Sequence, residues 1–186
     1  MRLYAVVAPP LQEVNRLLGR VASPEDPCLD WDSSTSINVG LAFFGNMVLS
    51  DVDRLVKRLA VEIARTAPLT LRFAGGTALE TEGDDSVWVT VDGDTSELRA
   101  LAMSIAAVAR TDGFAVDRRW YKPHARIARI NDATTLTSLQ RTLSLLEAYD
   151  GSSWSPTTVT LIEVKAVGDL SAPGGTAVFG SLPLGA

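Results

Sequence analysis

The sequence predicts an α+β fold in which helices and strands are interspersed. Two patterns indicate this fold class: apolar residues that alternate with small or polar ones, as in residues 37–44, and apolar residues spaced three or four apart, as in residues 98–108. A content of 46% hydrophobic and 21% charged residues is also that of an ordinary globular protein. At 186 residues, the chain is expected to form one domain over residues 1–186.

The beginning of the chain is predicted to be a strand followed by a helix. Residues 2–8 form a mostly apolar stretch, which is typical of a buried strand, and Pro9 and Pro10 end it. Apolar residues at helical spacing then run from Val14 to Val21, and the prolines at positions 24 and 27 end the pattern.

The next predicted strand, residues 37–44, has two different faces. Large apolar side chains occupy one face, whereas Asn38, Gly40 and Ala42 share the other, because successive strand side chains point in opposite directions. A helix is predicted to follow, with Ser50 as its N-cap.

The remainder of the chain is predicted to contain a hairpin, two helices and further strands. In order, these are strands at residues 69–74 and 86–92 around a turn-rich segment at 80–85, a helix at 94–113, a strand pair within 114–130, a helix from Thr134 towards Gly151, a strand at 157–167 and an apolar segment at 177–182.

Charge and length exclude several classes of function. The formal net charge of −5 argues against general coating of nucleic acid, which depends on many contacts from lysine and arginine to phosphates. The apolar runs are far shorter than the roughly 20 residues of a membrane span. We therefore expect a monomeric cytoplasmic protein that does not enter a membrane.

The chain has one cysteine, Cys28, and one histidine, His124. An internal disulfide is impossible, and a zinc site of the usual Cys/His type cannot be assembled. The acidic turn at 80–85 lacks the ordered spacing of a calcium loop, so a solvated turn is the favoured interpretation. We expect neither a metal nor a cofactor.

A local concentration of positive charge lies between residues 118 and 129. Five of the chain's 17 lysines and arginines fall in this segment, and no acidic residue does. Arginine suits phosphate because its planar fork of donors matches two oxygens, and an aromatic neighbour such as Tyr121 can stack on a base. The segment therefore indicates an anion site, although an edge strand that uses positive charge against aggregation would have the same composition.

His124 is the candidate for acid–base chemistry within this basic segment. It begins a predicted strand, which places Arg126 on the same face and Arg129 on the opposite face unless a bulge intervenes. Histidine is the usual general acid or base near neutral pH. The neighbouring positive charge should lower its pKa and favour the neutral form until an anion binds.

Four segments together resemble the 2'-5' RNA ligase family of the 2H phosphoesterase superfamily. Residues 2–10 look like its opening strand, residues 37–45 its first motif strand, residues 121–129 its second, and residues 159–163 with 174–184 its closing strands. The resemblance implies a two-lobed fold, with two antiparallel sheets around a central groove, helices outside and pseudo-symmetric lobes.

The resemblance also implies where a site would lie. The family has two His-x-Thr/Ser-x motifs on strands that face the groove, and one histidine activates the attacking hydroxyl or water while the other protonates the leaving oxygen. In this chain Asn38 and Gly40 replace both functional residues of the first motif, whereas the second keeps His124 and has Arg126 in place of the hydroxyl residue.

These departures bear on activity. The amide of Asn38 does not titrate, and loss of one acid–base partner costs about 10² to 10⁴ in rate. We expect weak or lost cyclic phosphodiesterase activity towards an RNA end or a cyclic nucleotide phosphodiester. His124 is the predicted catalytic residue, and the predicted substrate-binding residues are Asn38, Gly40, Tyr121, Lys122, Arg126 and Arg129.

Three alternatives remain open on the sequence alone. The chain is a non-catalytic module that binds a nucleotide or a protein, or a structural domain without an anion site. It also stays open whether, in an active chain, Asp30 or Asp32 replaces the missing histidine.

Overall fold

Strands and helices are interspersed along the chain in the computed structural model, which describes residues 1–22, 28–79, 85–114, 116, 121–164 and 176–185. The elements are β1 (Arg2–Val7), α1 (Leu11–Val21), β2 (Leu29–Trp31), β3 (Val39–Asn46), α2 (Leu49–Ile63), β4 (Leu71–Leu79), β5 (Ser86–Gly93), α3 (Thr95–Thr111), β6 (His124–Ile130), α4 (Leu136–Glu147), β7 (Thr158–Val164) and β8 (Thr176–Pro183).

The strands form two four-stranded antiparallel sheets. The first, called here the β1 sheet, has the order β3-β1-β7-β8, and the second, the β6 sheet, has the order β2-β6-β5-β4. This architecture confirms the predicted α+β fold with two antiparallel sheets. Strand β3 of the first sheet contacts strand β6 of the second, so the two predicted motif strands approach each other.

A shared apolar core explains why the predicted periodicities form these elements. Alternate residues of β1, Leu3, Ala5 and Val7, are fully buried, and so are Leu55 and Leu59 at helical spacing on α2. These side chains belong to one continuous cluster that includes residues from both sheets. None of the helices in the described ranges has the length and hydrophobicity of a membrane span.

Two predicted helix caps were wrong. Helix α2 follows Val48, which makes no side-chain cap, and Ser50 lies inside the first turn. The backbone N–H of Met47 donates to the carbonyl of Met1, which fixes the chain one residue before the helix entry. Helix α4 begins after Thr135, which forms a capping box with Ser138.

The hydroxyl of Thr134, where this helix was predicted to begin, instead hydrogen-bonds the carbonyl of Cys28. The helix ends at Glu147, before Gly151, whose backbone N–H donates to the carbonyl of Phe73 in β4 at 2.8 Å.

The region 114–130 contains one strand, β6, in its described part rather than the predicted pair. Strand β6 pairs with β5 on one side and with the three-residue strand β2 on the other. The sequence did not predict β2, because three residues carry too little periodicity. Residues 80–84 of the predicted acidic turn lie outside the described residues.

Gly93, at the end of β5, is expected to be intolerant of a side chain. Its φ of +103° is unfavourable for L residues, and an added Cβ would collide with the carbonyl oxygen of Thr70. We predict that Gly93→Ala lowers the free energy of unfolding by about 2 kcal/mol or more in urea denaturation.

Gly19 provides the matched control for this substitution. It lies on helix α1, and an added Cβ there meets no atom within 4 Å. Gly19→Ala should raise stability by about 0.5–1 kcal/mol. Equal effects of the two substitutions would contradict the assignment of Gly93 to a strained position.

Candidate functional site

A broad cavity, called here the groove, lies where the two sheets approach each other. Its volume is about 1000 Å³, and its lining comes from β1, β3, β5 and β6, from helix α3 and from the segment before β6. Four of the predicted site residues line it: Gly40, Tyr121, Lys122 and His124. The structure therefore brings parts of the two motif segments to the same groove.

The β3 wall of the groove is small and apolar. Gly40 and Ala42 line it, next to the stacked rings of Tyr4 and Phe43, whose centroids are 4.4 Å apart. A Cβ added at Gly40 would meet no atom within 4 Å, so the wall has open space at this position. Asn38 precedes this wall, is not among the described lining residues, and donates its amide N–H to the carbonyl of Ser36 at 3.1 Å.

His124 lies on the opposite wall, at the start of β6. Its ring meets the edge of Trp88 at 89°, with the centroids 4.5 Å apart. Burial lowers the pKa of His124 below its ordinary value of 6.5, the charge of Lys122 lowers it further, and a hydrogen bond with the backbone of Lys122 opposes both effects. The imidazole is therefore neutral at pH 7 and can accept a proton.

The charged residues that line the groove are all basic. Lys122 precedes His124, and helix α3 contributes Arg99 and Arg110, while no acidic residue is among the described lining residues. The two arginines lie on the same stripe of α3 as Met103 and Ala106, at spacings of four, three and four residues. Sequence reasoning missed these arginines, although their spacing from the apolar residues of α3 would have placed them on one face.

Two buried hydrogen-bond donors also line the groove. Within the described part of the chain, the indole N–H of Trp88 and the hydroxyl of Tyr121 are buried without a partner. Burial raises the pKa of Tyr121 above its ordinary value of 10, so the hydroxyl stays protonated. A buried donor without an acceptor costs about 1–3 kcal/mol in stability.

A β-bulge changes the predicted face of Arg129. Along β6, Arg126 pairs with Trp88 but Ala128 pairs with the preceding Val87, so Ile127 is the extra residue. The bulge places Arg129 on the same face as Arg126 and His124, as the sequence analysis allowed. Neither Arg126 nor Arg129 is among the described residues that line the groove itself.

The guanidinium of Arg126 forms a two-point ion pair with Asp32 of the loop after β2. Its Nε donates to one carboxylate oxygen at 2.8 Å, and an Nη donates to the other at 3.3 Å. Asp30 instead accepts a hydrogen bond from the amide of Asn131 at 2.9 Å. Both carboxylate oxygens of Asp32 are therefore engaged by Arg126, which argues against Asp32 as a replacement for the missing histidine.

Comparison with known proteins decides the family. The sequence model described as the 2'-5' RNA ligase superfamily matches residues 37–168, which include both motif strands. This chain belongs to that superfamily. The resemblance predicted from the sequence is thereby confirmed.

A curated relative of this superfamily member is an RNA 2',3'-cyclic phosphodiesterase from Geobacillus stearothermophilus. It is 28% identical over 130 residues, which cover 68% of this chain and 41% of the relative. This chain thus matches less than half of the relative's length.

Solved structures confirm the fold over almost the full chain. TT0787 of Thermus thermophilus superimposes with a TM-score of 0.72 at 17% identity, covering 99% of this chain and 98% of its own. E. coli LigT complexed with 3'-AMP has a TM-score of 0.72 at 19% identity, covering 98% and 97%. At these identities the likeness shows the fold, which is the LigT-like 2H phosphoesterase fold.

Proposed function

We propose that this superfamily member binds a phosphodiester at an RNA end or in a cyclic nucleotide and hydrolyses it slowly or not at all. The observation that carries the proposal is the asymmetry of the groove. One wall presents a neutral imidazole beside cationic side chains, whereas the opposite wall presents Gly40 and Ala42. The groove can attract an anion but has acid–base chemistry on one side alone.

Hydrolysis of a cyclic phosphodiester needs two proton transfers. A base removes a proton from the attacking water, and an acid gives a proton to the leaving oxygen. His124 can perform one of these steps, and Asn38 cannot perform the other because an amide does not titrate. The missing partner should cost about 10² to 10⁴ in rate, which leaves a slow hydrolase at best.

The ligand class follows from the groove's chemistry and from its relatives. Lys122 provides the positive charge next to His124, and Trp88 and Tyr121 contribute aromatic surface on which a base can stack. Gly40 leaves room for the ligand, and Asn38, Arg126 and Arg129 extend the polar surface beyond the groove. Two comparisons support a nucleotide-type ligand: one relative is an RNA 2',3'-cyclic phosphodiesterase, and the similar LigT structure is complexed with 3'-AMP.

Binding of a 2',3'-cyclic mononucleotide tests the proposal. An anion beside His124 favours the protonated imidazole, so the complex has a higher His124 pKa than the ligand-free protein, whose pKa lies below 6.5. At a pH between these two pKa values, binding of the ligand is therefore accompanied by uptake of one proton by His124. Affinity should rise as the pH falls through this window, by at most about tenfold per pH unit.

Isothermal titration calorimetry at several pH values measures this dependence, and product analysis in the same solutions measures turnover. Absence of binding from pH 8 to pH 5.5 would contradict the proposed function.

A second candidate function is a non-catalytic nucleotide-binding module. The replacement of both functional side chains of the first motif, at Asn38 and Gly40, favours it. Binding without any turnover above the spontaneous rate would support this module, whereas slow turnover that depends on His124 would support the hydrolase.

A further inference from the structure

The ion pair of Arg126 and Asp32 occupies a position that matters for the proposed ligand. Arg126 lies two residues after His124 on the same face of β6. It pairs with Trp88 of the neighbouring strand β5, and Trp88 lines the groove. The edge of its guanidinium that carries Nε and one Nη is held by the two oxygens of Asp32. A phosphate would use the same fork of donors.

The fold places Asp32 there through backbone contacts that the β-bulge creates. The bulged residue Ile127 directs its carbonyl to the backbone N–H of Asp32, at 2.9 Å. Strand β2 immediately before it is held in register against β6, with Trp31 opposite Ala128. Both side chains of the pair are partly buried, with exposed fractions of 27% for Arg126 and 18% for Asp32, so water screens the pair incompletely.

The pair changes how the rim of the groove responds to ligand charge. An anion near Arg126 meets a nearly neutral pair instead of a cation, because the carboxylate repels it while the guanidinium attracts it. The repulsion is proportional to the charge of the ligand. A phosphodiester carries one negative charge, whereas a phosphomonoester carries between about 1.5 and 2 at pH 7, as is typical of a second pKa of about 6.

We propose that Asp32 is a specificity-determining residue that disfavours phosphomonoester dianions in the groove and thereby favours phosphodiester ligands. This inference rests on the proposed function of the same groove. In hydrolysis of a cyclic phosphodiester, the oxygen of one water forms a new P–O bond while one ring P–O bond breaks, and the freed sugar oxygen takes a proton, which leaves a phosphomonoester. Asp32 would thus discriminate between substrate and product and would promote release of the product.

The test compares two ligands of different charge in the wild type and three variants. A 2',3'-cyclic mononucleotide and the corresponding 3'-mononucleotide are titrated by calorimetry into the wild type, Asp32→Asn and Asp30→Asn at pH 8 and low salt. Asp32→Asn should tighten binding of the cyclic nucleotide by about threefold and of the 3'-nucleotide by about tenfold. Doubling the ligand charge doubles the repulsion free energy that the substitution removes, and this squares the factor by which the affinity rises. Asp32→Glu, which keeps the charge, should retain the wild-type discrimination.

Asp30→Asn is the matched control. It removes one carboxylate from the neighbouring strand β2, but Asp30 bonds to Asn131 rather than to Arg126. It should change the ratio of the two affinities by about twofold or less. If Asp32→Asn does not fold, Asp32→Ser makes the same charge change with a smaller side chain.

Three outcomes would overturn the inference. An equal gain for both ligands in Asp32→Asn would show that Asp32 does not sense ligand charge, and an equally discriminating gain in Asp30→Asn would show a general charge effect. Either result leaves the proposed function standing if the wild type binds the cyclic nucleotide. Failure of all the proteins to bind either ligand would overturn both proposals.

Discussion

The double substitution Asn38→His with Gly40→Thr is expected to raise hydrolysis of a 2',3'-cyclic mononucleotide by about 10² to 10⁴, the range that a positioned acid–base group contributes. Asn38 lies one residue before β3 and two before Gly40, and the alternation of burial along residues 37–42 continues through it, so a side chain at position 38 is expected on the same face as Gly40. The wall at Gly40 has space for a side chain, since an added Cβ meets no atom within 4 Å. The new histidine would supply the second proton transfer that this chain lacks.

The controls for this gain separate chemistry from binding. Gly40→Thr alone adds a hydroxyl without a titratable group, and Asn38→Gln with Gly40→Thr keeps an amide at position 38. Neither should show the rate increase. A rebuilt variant that folds and binds the cyclic nucleotide but gains no turnover would contradict the assignment of the β3 wall as the incomplete half of the site.

Replacing His124 by glutamine should abolish turnover in the same assays. In the rebuilt variant the expected loss is about 10² to 10⁴ in rate, and any slow turnover of the wild type should fall to the spontaneous level. The reason is that His124 is the sole histidine of the chain and its neutral imidazole faces the groove, whereas an amide cannot exchange protons at neutral pH.

Binding distinguishes this loss from misfolding. At pH 8 the neutral imidazole contributes a hydrogen bond at most, so His124→Gln should weaken binding of the cyclic nucleotide by about tenfold or less. Rates from single-turnover assays and affinities from calorimetry give both quantities. Undiminished turnover with normal binding would assign the proton transfer to another group.

Local periodicity was sufficient to predict most of the architecture. The buried alternation of β1 and the helical spacing on α2 and α3 are strong signals, because each reports which face an element buries. Strand β2 was missed, since three residues contain too little pattern, and helix caps were displaced by one or two residues where neighbouring backbone contacts fix the chain. The pseudo-symmetry of the lobes stays a prediction.

The site was predictable to the extent that it depends on strand alternation. Gly40 and His124 both line the groove, so the two motif strands contribute to one cavity. Long-range contacts were not predictable in the same way: the bulge at Ile127 redirects Arg129, and Asp32 reaches Arg126 from 94 residues away in sequence. Such contacts depend on register and tertiary packing, which a local pattern does not contain.

The single histidine gives the most direct test of the groove as the ligand site, because its imidazole resonances need no assignment by mutation. In an NMR titration, the protein without ligand should show a pKa below 6.5 for this ring. A 2',3'-cyclic mononucleotide should shift the resonances to saturation and raise that pKa. The ligand concentration should be one that saturates the protein in calorimetry. If the resonances and the pKa of His124 do not change at that concentration, the ligand binds elsewhere and the account is contradicted.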